Sequence, residues 1–222
     1  MTSSGVRAEP LESTDVASTC PPMTEKQHAI LDAATAVFLR EGYERASVDT
    51  IAAEAGVSKR TIYNNFRDKK DLFVTVVERA RARANEFTPE DPALLTDPAR
   101  IDTELVIVGE RLLSVLLDPD SAALRRVLVA EVVHDPSLAP ACKEGTPKVI
   151  KQGLADRFAH FATAGALDLD DPMLAARQFI ALIMFEGEKQ SAYGTQPLSD
   201  AERHTIARDA ADLFLRAYRH RS

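Results

Sequence analysis

Between Lys59 and Asn65 the chain reads KRTIYNN, so two cations, a threonine hydroxyl, a phenol and two carboxamides crowd seven positions. These groups engage nucleic acid rather than break covalent bonds. Lys, Arg, Thr and Tyr reach phosphate oxygens, whereas Arg can fork onto guanine and Asn onto adenine in the major groove. Ile62 and Phe66 lie four apart, so a helix here is anchored along one apolar seam and leaves Lys59, Arg60, Thr61, Tyr63, Asn64 and Asn65 to its other faces. Ordinary soluble helices favour Glu, Lys and Ala over a Tyr-Asn-Asn run.

The flanking residues supply what such a helix needs to be held still. Ser58 stands where an N-cap accepts backbone N–H groups, and Gly56 ends the preceding helix in a left-handed conformation without a Cβ clash. Val48, Ile51, Ala52 and Ala55 give that preceding helix one apolar face, with Ser47 as its cap and Ala52 small enough to let a second helix approach. Helix, Gly turn and capped helix at this spacing predict a helix-turn-helix. Upstream, Thr24 to Gln27 form a capping-box pattern, and Ile30, Ala33, Ala34, Val37 and Phe38 trace a stripe until Gly42, predicting a supporting helix over 25–41. Downstream, a fourth helix begins near Asp68 and turns Leu72, Phe73, Val76 and Val77 inward, as a bridge to the rest of the chain.

SKRTIYNNFRDKKDLF resembles the recognition segment of the TetR/AcrR family of transcriptional regulators, and the likeness extends through the supporting helix. The resemblance implies that Tyr63 binds phosphate, that Lys69 is the lysine opening the fourth helix, and that Ser47 is the hydroxyl residue starting the second. Arg60 stands where Gly or Pro is common and Asn65 where His is common, so base preference does not transfer from relatives. Asp49 occupies a place where some members put a basic base reader; a carboxylate suits the helix end there and opposes phosphate, so it is not counted as a contact. The expected DNA contacts are Ser47, Lys59, Arg60, Thr61, Tyr63, Asn64, Asn65 and Lys69.

A net charge of −7 argues at first against nucleic acid. Its distribution reverses that objection, because residues 45–85 carry nine Lys/Arg against five Asp/Glu. At a Debye length of roughly 8 Å a distant acidic body is largely screened from the DNA face. Residues 1–23 lack apolar periodicity and are read as a flexible tail. No secretory signal and no membrane-length apolar run is present, and Cys20 and Cys142 form no disulfide framework, so a cytoplasmic protein is expected. The chain lacks a nucleophile elbow, a phosphate-binding Gly loop, H-E-x-x-H and Cys-x-x-Cys, and its five histidines are scattered; no enzyme activity, cofactor or metal is expected.

Beyond Glu86, a proline-rich loop precedes helices predicted over 101–117, 121–134, 147–164 (Thr146 as cap, Gly165 as stop), 171–192 and 199–220. The expected fold is all-α: a three-helix homeodomain-like head over 24–85, with its bridging helix, and a larger helical ligand-binding and dimerisation domain over 86–222. The segments LRRVLVAEVVHDPSLA and AGALDLDDPMLAARQF also resemble the C-terminal region of an AcrR/AefR-like subgroup. Apolar surplus on the last two helices, including Leu182, Phe185, Leu213 and Phe214, fits the four-helix dimer interface that the family resemblance implies. That resemblance also places a pocket inside the body, for which Arg126, Glu131, His134, Phe158, Phe161, Met184 and Phe185 offer apolar walls and a few polar groups. The reading is a homodimeric repressor on a palindromic double-stranded operator, released by a largely apolar small molecule. A helical enzyme or protein-binding module with an incidental helix-turn-helix is the alternative, and a second keeps DNA binding but makes the protein an activator or nucleoid-type binder.

Overall fold

A computed structural model describes residues 23–83, 95–144 and 146–220. The tail through Pro22 with Cys20, and most of the proline-rich loop after Arg83, lie outside the described residues. Among the described residues the regular structure is helical, apart from one isolated antiparallel bridge between Leu167 and Arg219.

The head begins with α1 (Glu25–Arg45), whose N-cap Thr24 and Gln27 complete the expected capping box. At Gly42, with φ 79° and ψ 170°, the helix kinks, and the chain makes one further turn before Ala46. The stripe Ile30, Ala33, Ala34, Val37 and Phe38 is buried as its spacing requires. α2 (Val48–Glu54) and α3 (Lys59–Asn65) come next, and α4 (Lys69–Arg83) packs Leu72, Phe73, Val76 and Val77 inward. Phe38, Tyr43 and Phe73 meet ring to ring at centroid separations of 4.9 to 6.0 Å, closing the core beneath the turn.

The body comprises α5 (Ile101–Leu116), α6 (Pro119–Glu131), α7 (Ala139–Glu144), α8 (Lys148–Thr163), α9 (Pro172–Gln190) and α10 (Asp200–Tyr218). Asp118, Asp171 and Ser199 cap α6, α9 and α10 through side-chain oxygens. α6 starts earlier than its apolar period indicated, because Asp118-Pro119 is itself a cap and first-turn pair, and it ends at Glu131 with Val132 as its C-cap. The break after His134, predicted to hold no long helix, contains a 3-10 turn at Pro136–Leu138 and then α7. Thr146 does not cap α8: Pro147 takes that position, and the buried Thr146 hydroxyl faces the Met184 sulfur at 3.4 Å. Gly165 does stop α8, with Ala166 N–H donating to Phe161 O and Gly165 N–H to Ala162 O.

α5 lies along α10 and α8 along α9. Gly109 permits the first contact, since a Cβ there would stand 2.9 Å from the Ala207 Cβ. Phe158, Phe179 and Phe214 form the aromatic centre of the body. α6 behaves differently. Its inward residues Leu124 and Leu128, with Leu138 and Ala141, join the same apolar cluster as the head, against α1 and α4. The apolar core therefore does not divide at residue 86, and residues from the second half of the chain complete the core of the first.

Candidate nucleic-acid interface

Two caps and one turn fix the α2–α3 corner. Ser47 Oγ accepts the Thr50 N–H at 3.0 Å, and Ser58 Oγ accepts the Thr61 N–H at 3.1 Å. Between them Gly56 adopts φ 65°, so that Val57 N–H reaches Ala52 O at 3.0 Å and Gly56 N–H reaches Ala53 O at 3.3 Å. This six-to-one and five-to-two pairing satisfies carbonyls that would otherwise end α2 unpaired. Arg40 of α1 then binds Glu54 of α2 at 2.6 Å, bracing the corner from behind.

Ile62 and Phe66 are 1% and 7% exposed and seat α3 on the head, as the single seam predicted. Lys59, Arg60, Tyr63, Asn64 and Asn65 are exposed, while Thr61 and Ser47 are half-buried and occupied with their caps. Among the described residues Arg60, Tyr63 and Asn64 have no hydrogen-bond partner for their side chains. Asn65 donates to its own helix at Thr61 O, 2.7 Å away. Lys59 Nζ meets Asp49 Oδ2 at 2.8 Å, and this hydrogen bond raises the lysine's pKa above its ordinary value.

Lys69 has a structural task that its position in the sequence did not reveal. Its ammonium donates to the carbonyls of Tyr43, Glu44 and Ala46 at 2.8, 3.1 and 3.1 Å, and lies 4.6 Å from the Tyr43 ring centroid. All three donors of the ammonium are thereby engaged at the end of α1. Nearby, Asp68 Oδ1 accepts the Asp71 N–H at 2.8 Å, and Asp71 in turn binds the Arg67 guanidinium at 2.9 Å and the Arg67 N–H at 3.0 Å. Those bonds, the guanidinium's first, hold the Asp71 carboxyl below its usual range. Neither the Lys69 cap nor the Asp49 partner was legible in the sequence, since both depend on where the α1–α2 corner meets the next helix.

Of the residues expected to line a ligand site, the structure brings Phe158, Phe161 and Met184 to one apolar cluster. Phe158 and Phe161 are fully buried in the body core, whereas Phe185 is 67% exposed. Arg126 donates to Tyr193 O at 2.8 Å, and Glu131 and His134 sit at the end of α6, with His134 exposed. Only Met184 borders the internal cavity of about 30 Å3 where α4, α5, α6 and α9 meet, with Val77, Ala80, Leu116, Leu124 and Arg125. That volume admits water but no drug-sized molecule without opening. At its edge Arg125 binds Leu116 O at 3.0 Å and Glu188 at 2.8 Å, and burial lowers the guanidinium's pKa. A groove of about 650 Å3 runs outside, between α4 and α7, but mixed charges including Lys70, Asp71, Glu78 and Arg81 line it. Among the described residues no group of three or more His, Cys, Asp or Glu could hold a metal ion, and no helix is long and apolar enough to cross a membrane.

A braced helix-turn-helix with cations and carboxamides exposed on its second helix, carried on a helical body, defines a DNA-binding protein. Residues 30–76 match the model for bacterial regulatory proteins of the tetR family, and residues 103–220 match the AefR-like transcriptional repressor C-terminal domain. The second match alone covers more than half the chain, and the protein belongs to the TetR/AcrR family of transcriptional regulators. A TetR-family regulator from Mesorhizobium loti superposes with a TM-score of 0.77 at 29% identity, over 89% of this chain and 100% of that one. The flavonoid-responsive regulator FrrA gives 0.70 at 26% identity, over 89% and 98%. The transcriptional activator FasR of Mycolicibacterium smegmatis is 41% identical over 58 residues, 26% of each chain. The chain covers 26%, 30% and 48% of the lengths of the first curated relatives it matches.

Proposed function

We propose that the protein represses transcription by binding a palindromic operator as a homodimer, one α3 per half-site, and lets go when a small, largely apolar molecule enters the body. The observation that carries this reading is the α3 surface: Arg60, Tyr63 and Asn64 stand exposed on a helix whose position is fixed by two seated side chains and two capped corners. Arg60 and Asn64, one turn apart, are assigned to base edges and Tyr63 to phosphate, with Lys59 and Asn65 beside them. Ser47, Thr61 and Lys69 hold the frame rather than lead the contact.

The pairing surface is assigned to α9 and α10, where Leu174, Phe185 and Leu213 are 39%, 67% and 53% exposed. Phe214, also expected there, is 2% exposed and belongs to the subunit's own core. The ligand is assigned to the small cavity between α4 and the body helices, which would open around it. FrrA's description as flavonoid-responsive supports a small-molecule signal, and the description of the matched C-terminal domain supports repression. FasR is an activator, so the sign of regulation is tested separately, by a reporter behind the operator. DNA flanking the gene, searched for an inverted repeat and titrated against a scrambled duplex at several salt concentrations, tests the central claim. Equal affinity for both duplexes would remove operator recognition.

A further inference from the structure

Asp49 and Lys59 face each other across the Gly56 turn, with Oδ2 and Nζ 2.8 Å apart and side chains 69% and 50% exposed. Asp49 stands in the first turn of α2, where free N–H groups favour a carboxylate, whereas Lys59 opens α3, where they disfavour a cation. Each helix thus presents a charge beside the surface that meets DNA, and the two cancel. Transfer of Lys59 to a phosphate would gain one ion pair, lose another, and leave the Asp49 carboxylate facing the polyanion alone. Arg60, its neighbour on the same helix, faces no such exchange.

We infer that Asp49 is a positioning residue that withholds Lys59 from the phosphate backbone, so that α3 docks through Arg60, Tyr63 and Asn64 with one phosphate contact fewer than its basic residues allow. The inference rests on DNA binding through α3. Phosphate contacts position a protein without reading sequence, so removing one leaves a larger share of the binding to groups that reach base edges. The hydrogen bond that Lys59 donates to Asp49, ahead of the carboxylate's charge, also raises the lysine's pKa above its ordinary value.

The test uses the full chain and four proteins: wild type, D49N, K59Q and the double variant. Their affinities for an inverted-repeat duplex and a random duplex are measured across a salt series. D49N should steepen the slope of log affinity against log salt by about 0.9, the increment for one added phosphate contact on duplex DNA. It should tighten binding to both duplexes by up to about fivefold, the upper value of an exposed ion pair. K59Q alone should leave the slope unchanged, and D49N should have no effect in the K59Q background. An unchanged slope for D49N overturns the inference. So does a flatter slope for K59Q, which would put Lys59 on a phosphate already, or an equal effect of D49N with and without Lys59, which would mean that the carboxylate repels DNA directly. Wild-type protein that binds neither duplex would remove the DNA-binding reading of α3 itself, and the inference with it.

Discussion

At the scale of single residues, the same side-chain type has two fates within ten positions. Lys59 is exposed and paired with one carboxylate, while Lys69 spends its three donors on backbone carbonyls at the end of α1. Hydrogen bonds to a charged group contribute about 1.5–3 kcal/mol each when the alternative is an unmet partner, but these carbonyls are partly exposed, so Lys69→Ala should cost about 2 kcal/mol in total. A thermal midpoint lower by about 4–8 °C is expected, because each kcal/mol is worth about 2–4 °C in a chain of this size. The salt dependence of DNA binding by the folded variant should stay as in wild type. A slope flatter by about 1 with an unchanged midpoint would return Lys69 to the DNA contacts expected from the sequence. Arg60 and Asn64 carry the opposite expectation: replacing either by Ala should leave the midpoint alone, cost about 1–3 kcal/mol of operator affinity and relax preference at particular base positions. Selection of preferred sites from a random pool reads that relaxation, and an unchanged site preference would move base reading elsewhere.

At the scale of elements, legibility depends on how local the determining physics is. The Gly56 turn, the Ser47 and Ser58 caps and the Ile62–Phe66 seam all depend on residues within one turn of each other, and each is found where its spacing put it. Gly56→Ala should therefore cost about 1–2 kcal/mol, since an alanine at φ 65° strains a backbone with no room to relax into the right-handed region while Val57 remains bonded to Ala52. Chemical denaturation checks it, and a stability equal to wild type would mean that the turn re-forms without its left-handed residue. The cap of α8 slipped by one residue because Thr146 and Pro147 both suit a helix start; the buried contact with Met184, 38 residues away, decides between them. α6 was legible as amphipathic but not as a neighbour of the head, for an apolar stripe states that a core exists without saying which one. The aromatic residues expected at a ligand site show the same ambiguity. In the sequence Phe158 and Phe161 fit a pocket wall and a packed core equally; the structure buries both, with Phe158 edge-on to Phe179 and tilted against Phe214.

At the scale of the whole molecule, α6 links the two apolar clusters. Its inner face completes the head, Arg125 binds Glu188 of α9 at 2.8 Å, and Arg126 holds the carbonyl of Tyr193 just beyond α9. A displacement of α9 therefore has a bonded route to the helices that seat α3. The proposed pairing surface can be probed without disturbing the fold, because Phe185 and Leu213 are exposed and a carboxylate at either site stays hydrated while the chain is alone. In a dimer the same carboxylate is buried without a partner, and breaking an interface in this way costs about 3–5 kcal/mol. The double variant F185D/L213D should keep its helical signal and thermal unfolding yet sediment as a monomer at micromolar concentration, with operator affinity reduced because one head grips only one half-site. Phe214→Asp is the contrasting control: at 2% exposure it lies within the subunit's own core, so it should unfold the body instead of separating intact chains. A double variant that remains dimeric would place the pairing surface off these two helices, and wild-type protein that is monomeric with full operator affinity would remove the dimer from the account altogether.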